Sequence, residues 1–487
     1  MVVGSSLRPS SLATAAFALL VVGASWLWRR FPVDDAYITF RYARNLAWGE
    51  GLVFNPGEWV LGTTSALWAA LLSLCSLVGL DIEQAAVLGG GLIASATIAL
   101  FLICVARVSG LRAFGWAAVV ALYYPLSVVT FSGMETAAYS FVVGAGLLQF
   151  SRGRLGLGAL LAVAATLLRP DGILVIITGF LSAPSAPLRA RLKALAGYSV
   201  MLAPWLVFSY LTYGSVLPHS VEAKRLLYAV PVWKNALFFL EALSQSPLDA
   251  VLLCAGAAGL LFAARERDLR IFVAWGVLYS LGIIASGIKP VFFWYFGPLW
   301  LLLLTVGIEG LRRGFKDDLP TTRQGFLAPA LATITLAAIG LDSAQRAPGL
   351  DPAEVRESAY RQAIGQVGAE IQHNDLVLMS EIGILGYGLP QARVLDSAGI
   401  VSPEVSTIIA AAQKELGRSF EIADGCPWLP TLLARFSPKW IIGARDQLSL
   451  SKLEQDPAFA SQYSLVAEWE KGAFGGVMLY RRKDPMK

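Results

Sequence analysis

Twelve apolar stretches run through the first 341 residues of this chain, at about 11–28, 66–80, 85–106, 113–131, 136–150, 156–168, 172–188, 195–213, 248–264, 271–287, 291–310 and 325–341. A helix that crosses a bilayer takes about 20 mainly apolar residues. In hydrocarbon a helix satisfies its own backbone polar groups, which an isolated strand cannot do. A chain with so many such stretches is a polytopic α-helical membrane protein. Its charge content agrees, since 15% of the 487 residues are charged against roughly 25% in soluble domains.

The basic loops set an orientation. "ARVSGLR" (106–112), "SRGR" (151–154), "RARLK" (189–193), "RERDLR" (265–270) and "RRGFK" (312–316) are each separated from the next by two apolar stretches. All five therefore fall on one side, the cytoplasmic one by the positive-inside bias. Twelve crossings would put the N-terminus and "ARVSGLR" on opposite sides. The stretch "SALWAALLSLCSLVGL" (65–80) is short for a crossing and reads as a juxtamembrane or re-entrant helix on the outer face. About 11 transmembrane helices remain, with the N-terminus inside and the C-terminus outside. The first stretch has a long apolar core and no convincing small-residue cleavage site, so it reads as a retained span rather than a signal peptide. Arg29 and Arg30 then lie at the outer surface, by snorkelling or beside an anionic group.

Residues 1–342 thus form a transmembrane domain whose first outer loop covers about 31–83. Residues 343–487 carry charges of both signs and no span. Strand patterns occur at 375–380, 392–396, 439–444, 463–469 and 476–482, and an amphipathic helical pattern at 351–372. This is a soluble α/β domain, placed on the extracytoplasmic side. Cys75, Cys104, Cys254 and Cys426 have no paired spacing, and two histidines, His219 and His373, make no histidine-rich metal centre.

Chemistry-bearing residues gather in five outer stretches. In "FPVDDAYITFRYARNLAWGEGLVFNP" (31–56), a helix from Asp34 puts Asp34, Ile38, Arg41 and Asn45 on one face, with Asp35, Thr39 and Tyr42 beside it. A carboxylate there would deprotonate an acceptor hydroxyl and an arginine would hold an anionic leaving group. Alternatively Asp34 caps the helix and Asp35 favours its dipole. "FSGMETAAY" (131–139) puts Glu135 at the start of an apolar helix, as a partnered or capping residue or as a catalytic or metal-binding one. "LLRPDG" (167–172) offers Arg169 and Asp171, which favour mutual pairing at a break made by Pro170. His219, Lys224 and Arg225 in "YGSVLPHSVEAKRL" (213–226), and Lys289 in "IKPVFFWYFGPLW" (288–300), would meet a phosphate or form a solvated face and an interfacial aromatic belt. Carboxylates with scattered Arg and Lys on one surface suit a lipid-phosphate substrate and a polar acceptor.

"DDAYITFRYARNLAWGEGLVFNPGEWVLGTTSALW" (34–68) resembles a signature of bacterial GT-C glycosyltransferases, nearest to the group of mycobacterial terminal arabinofuranosyltransferases. "SGMETA" (132–137), "RPDG" (169–172), "YGSVLPHSVEAK" (213–224) and "EIGILGYGLPQARVLDSAGIVSPE" (381–404) accompany it in the same order. The resemblance implies an inverting enzyme of the bacterial plasma membrane. It would move a sugar from a polyprenyl-phosphate carrier to an extracytoplasmic cell-envelope glycan. Asp34 and Asp35 match the family's acidic pair, with Asp34 the first choice as base and Asp35 its rival. Arg41 matches the basic position downstream and would contact the donor or orient the carboxylates. His219, Lys224 and Lys289 would contact the donor phosphate, with Tyr42, Asn45, Glu135, Arg169 and Asp171 in support. A divalent cation (Mg2+, Mn2+ or Ca2+) held by Asp34, Asp35 and Glu135 stays open. Trp59 and Leu61 stand where many relatives carry a charged residue, and the soluble domain is compact for the arabinosyl group, which bears on the sugar and the acceptor. The alternatives are a transporter or flippase of lipid-linked sugars and a non-catalytic envelope-assembly scaffold. Charges on one face and no evident internal repeat speak against a transporter.

Overall fold

The computed structural model of the chain describes residues 19–20, 23, 32–105, 111–182, 186–314, 337–342, 345–346, 352–417, 425–469 and 476–483. The chain divides into two compact units. One comprises Met1–Pro32, Glu83–Pro204 and Pro231–Ala347, the other Val33–Ile82, Trp205–Val230 and Pro348–Lys487. The boundary expected at 342/343 is close to the division at Ala347, but the second unit also takes in Val33–Ile82 and Trp205–Val230.

The first unit is helical. Among the described residues, Ile82–Val105, Leu188–Tyr213 and Phe293–Gly314 are each long and apolar enough to cross a bilayer. Tyr124–Phe131 with Thr136–Ser151, and Val232–Ala242 with Pro247–Ala263, are pairs bent by 106° and 108° that would each make a broken span or a re-entrant loop. The apolar stretches lead to an expectation of eleven spans. The described residues hold three unbroken ones, or five if each bent pair counts as one. Stretches 11–28 and 325–341 lie mostly outside the described residues. Elsewhere proline cuts the helices short. Pro125 opens Tyr124–Phe131, and Pro170 parts Leu155–Leu168 from Ile173–Ser182. A 14-residue helix such as Leu155–Leu168 rises only about 21 Å, against a hydrocarbon core of about 30 Å. Helix Pro247–Ala263 packs on Phe293–Gly314 through glycines: a Cβ on Gly259 would lie 1.8 Å from the Gly307 carbonyl oxygen. Such backbone proximity is how helices associate where lipid supplies no hydrophobic drive.

The second unit is a five-stranded sheet with helices. Its elements are α1 (Asp34–Ala47), α2 (Ala66–Leu77), α3 (His219–Tyr228), α4 (Pro352–Val367), β1 (Leu376–Met379), α5 (Ile384–Gly388), β2 (Arg393–Asp396), α6 (Pro403–Leu416), α7 (Leu429–Phe436), β3 (Trp440–Ala444), β4 (Tyr463–Trp469) and β5 (Val477–Arg482). At 12 residues, α2 rises about 18 Å, too little to cross. All five expected strands are present, in the order β2-β1-β3-β5-β4. β1 runs parallel to β2 and β3, while β5 runs antiparallel to β3 and β4. Every residue of β3 is buried, and Ile441, Leu378, Met478 and Tyr480 pack with Leu429 and Leu432 of α7 into one core.

The sheet grows from β1 in both directions, to β2 on one side and β3 on the other. Open α/β sheets bind their ligands beyond the carboxyl ends of the strands at such a switch point. Two features shape that end here. Asn55, from the loop between α1 and α2, pairs with both the N–H (3.0 Å) and the carbonyl (2.9 Å) of Val394 and so covers part of the edge strand β2. Asp396, at the end of β2 and 1% exposed, accepts the amides of Ala398, Ile400 and Val401. Asp396→Ala would leave three N–H groups without this acceptor, that of buried Val401 and those of half-buried Ala398 and Ile400, at about 1–3 kcal/mol each where water does not replace it. The expected loss of stability is at least about 1–3 kcal/mol, read as a lowered thermal midpoint of the full chain in detergent.

Candidate active site

Helix α1 follows Pro32, and its two leading acids lie where the helix dipole favours negative charge. Neither caps the helix. The N-cap position is Val33, so the capping alternative for Asp34 is set aside. Successive helical residues point about 100° apart, and the two carboxylates meet different surroundings. Asp34 is 8% exposed and accepts the Ile384 amide at 2.7 Å. Burial pushes its carboxyl well above the usual range, and the charges of Glu381, Asp35 and Glu357 push the same way, against the Ile384 hydrogen bond. The Asp35 side chain keeps 26% exposure and lies 3.8 Å from the Lys224 ammonium of α3. Burial raises its carboxyl too, while Lys224 and Arg356 hold it down.

Around Asp34 stands a group that the sequence reading did not single out. Glu381, just past β1, accepts from the Tyr360 hydroxyl (2.8 Å) and from Gln447 (3.1 Å), and pairs with Arg356 at 2.8 Å. Arg356, Glu357 and Tyr360 all belong to α4. The available signal was an acid between a strand and a glycine-rich turn, "SEIGILGYG", which is easily passed over as a solvated loop.

Arg41 requires a correction. It is fully buried, and its guanidinium lies 4.5 Å from the centre of the Phe54 ring. Its Nε donates to Phe54 O, Nη1 to Gly386 O and Leu389 O, and Nη2 to Ala392 O and Asn55 Oδ1. Five donors meet five acceptors, so no N–H is left for a donor phosphate. Tyr42 and Asn45 are likewise spent on the fold. The Tyr42 hydroxyl donates to Val60 O and accepts from Gly62 N–H. Asn45 donates to Val53 O and Phe54 O. His219 lies with its Nε2 3.2 Å from Ser406 Oγ and its Nδ1 3.6 Å from Glu222. Burial lowers its pKa, which favours the neutral ring.

The remaining expected residues belong to the helical unit. Glu135 precedes helix Thr136–Ser151 and is 3% exposed. Arg169 forms a two-pronged pair with Asp171 (3.2 and 2.8 Å) and donates to the Tyr279 hydroxyl at 3.1 Å. Its guanidinium lies 4.9 Å from the ring centres of both Tyr139 and Tyr295. The Lys289 ammonium sits 4.2 Å from the centre of the Phe238 ring. Among the described residues, no three His, Cys, Asp or Glu side chains converge as metal ligands.

Known structures share this architecture. ArnT from Cupriavidus metallidurans, crystallised with undecaprenyl phosphate, superposes over 96% of this chain and 97% of its own, with a TM-score of 0.55 and 12% identity. The archaeal oligosaccharyltransferase AglB from Archaeoglobus fulgidus, in complex with an inhibitory peptide and a dolichol-phosphate, gives a TM-score of 0.55 and 12% identity over 96% of this chain and 74% of its own. The chain has the GT-C fold. Residues 353–484 match a family described as a domain of unknown function (DUF8728). A terminal β-(1→2)-arabinofuranosyltransferase of Mycobacterium tuberculosis is 44% identical over 68 residues, 14% of this chain. The match spans only 11% of that relative's length.

Proposed function

We propose that the protein is a polyprenyl-phosphate-dependent glycosyltransferase that delivers a sugar, with arabinofuranose the first candidate, to a hydroxyl of an extracytoplasmic cell-envelope glycan. The observation that carries this reading is the asymmetric acid pair at the start of α1, one carboxyl buried and the other open beside a lysine. Asp35 is the general base. It alone of the pair combines access with a neighbouring cation, so the choice moves here from Asp34, which is committed to the Ile384 amide.

In a single displacement, the acceptor oxygen forms a bond to the anomeric carbon as the bond from that carbon to the phosphate oxygen breaks. Asp35 takes the hydroxyl proton, and the lipid phosphate leaves as an anion. That leaving group needs no proton, so one base suffices. Lys224 places positive charge beside the base, where it stabilises the ionised form. A divalent cation remains part of the proposal, and loss of transfer on chelation would reveal it.

The test is purified protein incubated with a panel of radiolabelled polyprenyl-phosphate sugars and a glycan acceptor. Transfer from one of them supports the reading; transport of the intact lipid-linked sugar without transfer overturns it. A narrower prediction concerns Lys224. In Lys224→Met the larger of the two cationic restraints on Asp35 disappears, leaving Arg356, and its carboxyl titrates at higher pH. The acidic limb of kcat/KM then moves to higher pH, so the loss is largest in acid and shrinks toward alkaline pH.

A further inference from the structure

We infer that Arg44 of α1 is the centre of a second binding site, for a carboxylate or phosphate carried on a sugar, on the side of α1 away from the proposed base. Arg44 stands nine residues beyond Asp35, about 14 Å along the axis and on the opposite side of the helix. The site holds part of an acidic glycan at a distance from the reacting hydroxyl, and it stands whether or not the transferase reading does.

Arg44 is 8% exposed. Its Nη1 donates to Tyr387 O at 2.7 Å, but Nε and Nη2 are buried and meet no acceptor. Those two nitrogens form the edge of a guanidinium that grips an oxyanion with two parallel hydrogen bonds. The chain uses this edge elsewhere. Arg169 sets Nε and Nη2 on the two carboxylate oxygens of Asp171, and Arg312 does the same with Glu309. Among the described residues, Arg44 alone has both nitrogens of this edge buried without a partner. A buried donor with no acceptor destabilises a fold, so an edge kept open in this way points to a ligand that fills it.

The local charge agrees. Arg41, three residues earlier on α1, is fully buried and bonded only to carbonyls and Asn55, all neutral. The two guanidiniums disfavour each other's charge. Asp35 pairs instead with Lys224, and Glu58 with Arg393. Neighbouring buried cations are costly unless an anion joins them.

Trp48 supplies the sugar half. Its ring centre lies 5.0 Å from the Arg44 guanidinium, and that of Tyr387 lies 4.5 Å from it. Tyr387 is held in a cluster with Tyr37 and Phe40. Trp48 is 62% exposed and ends α1 just before Gly49, whose φ is 86°. It is the ring able to give way as an anion enters. Its open indole offers a flat apolar surface to the C–H side of a sugar ring. A guanidinium alone fits any oxyanion; with this indole beside it, the fit is to one attached to a sugar.

The experiment is isothermal titration calorimetry on the purified full chain in detergent. The probes are methyl glucuronide, glucose 6-phosphate, neutral methyl glucoside, inorganic phosphate and a short-chain phosphatidylglycerol below its micellar concentration. At least one charged sugar should bind saturably, with the neutral sugar weaker by about tenfold or more; comparing the two charged probes tells carboxylate from phosphate. Arg44→Lys keeps the charge and loses the fork, so it should weaken charged-sugar binding by about tenfold or more. Trp48→Ala should weaken it severalfold. Thermal midpoints check that both variants fold. Absence of saturable binding of either charged sugar to the wild type overturns the inference, as does unchanged binding in folded Arg44→Lys. Inorganic phosphate or the phospholipid binding more tightly than both charged sugars overturns the glycan assignment. Should Arg44→Lys not fold, Trp48→Ala, at an exposed position, decides: unchanged charged-sugar binding there overturns the inference. No readout involves sugar transfer, so failure of this site and failure of the proposed function are separate results.

Discussion

Asp35→Asn is expected to lower kcat by about 10²–10⁴-fold, the usual contribution of a positioned general base, in protein that inserts and folds normally. The amide preserves the size of the side chain and loses only the ability to take a proton. Asp34→Asn is expected to do much less, because an asparagine Oδ1 still accepts the Ile384 amide and a neutral group already suits that position. The contrast separates two carboxylates that are adjacent in sequence. Normal transfer by both variants would remove the acid pair from the mechanism. A large loss in Asp34→Asn with a small one in Asp35→Asn would return the role of base to Asp34. Sign and pH are linked. Burial raises the Asp35 carboxyl from its ordinary range, so the acidic limb of the wild-type profile should lie above that of a free aspartate, with activity rising as pH rises through it.

How far the sequence carried this reading varies from element to element. The five strands of the C-terminal sheet were legible because alternation and β-branched content are local signals, and β1 to β5 all lie where those signals place them. The acid pair was conspicuous because two adjacent carboxylates follow an apolar stretch, but capping and the helix dipole accounted for it equally well. Which acid is the base was not. Helical geometry separates Asp34 from Asp35 by about 100°, but only the fold reveals that one side faces Gly383 and Ile384 and the other Lys224. Arg41 was misread for the same reason. It shares a helical face with Asp34, and that face is covered by the 386–392 backbone, about 350 residues away in sequence. The span count was also hard to read, since hydropathy registers composition but not a break such as the one at Pro125, inside the stretch 113–131. Glu381 opens one of the motifs of the resemblance, but a lone acid after a strand has no pattern of its own that marks it for a role.

Arg41 also carries the second large expected effect, one of stability rather than chemistry. Its five N–H groups serve four main-chain carbonyls and the Asn55 side chain. Those acceptors belong to the outer loop and to the stretch around α5, so one side chain ties together segments that share little else in sequence. Lysine brings the same charge but at most three donors on a point-like head. Arg41→Lys therefore loses at least two of the five charge-assisted hydrogen bonds, at about 1.5–3 kcal/mol each, for an expected loss of about 3–6 kcal/mol. Arg41→Met loses all five of these bonds, at about 1.5–3 kcal/mol each for bonds to a charged group, and that total rivals the 5–15 kcal/mol by which a typical domain is stable. The expected result is a lower thermal midpoint for Arg41→Lys and unfolding or proteolysis of the outer-loop and C-terminal unit for Arg41→Met, whatever donor lipid is supplied. A phosphate-binding arginine would behave otherwise: Arg41→Lys would keep its thermal midpoint and raise KM for the polyprenyl-phosphate sugar. Thermal unfolding and KM measured on the same preparation therefore discriminate between the two roles. A buried guanidinium with every donor engaged predicts that the thermal midpoint falls first.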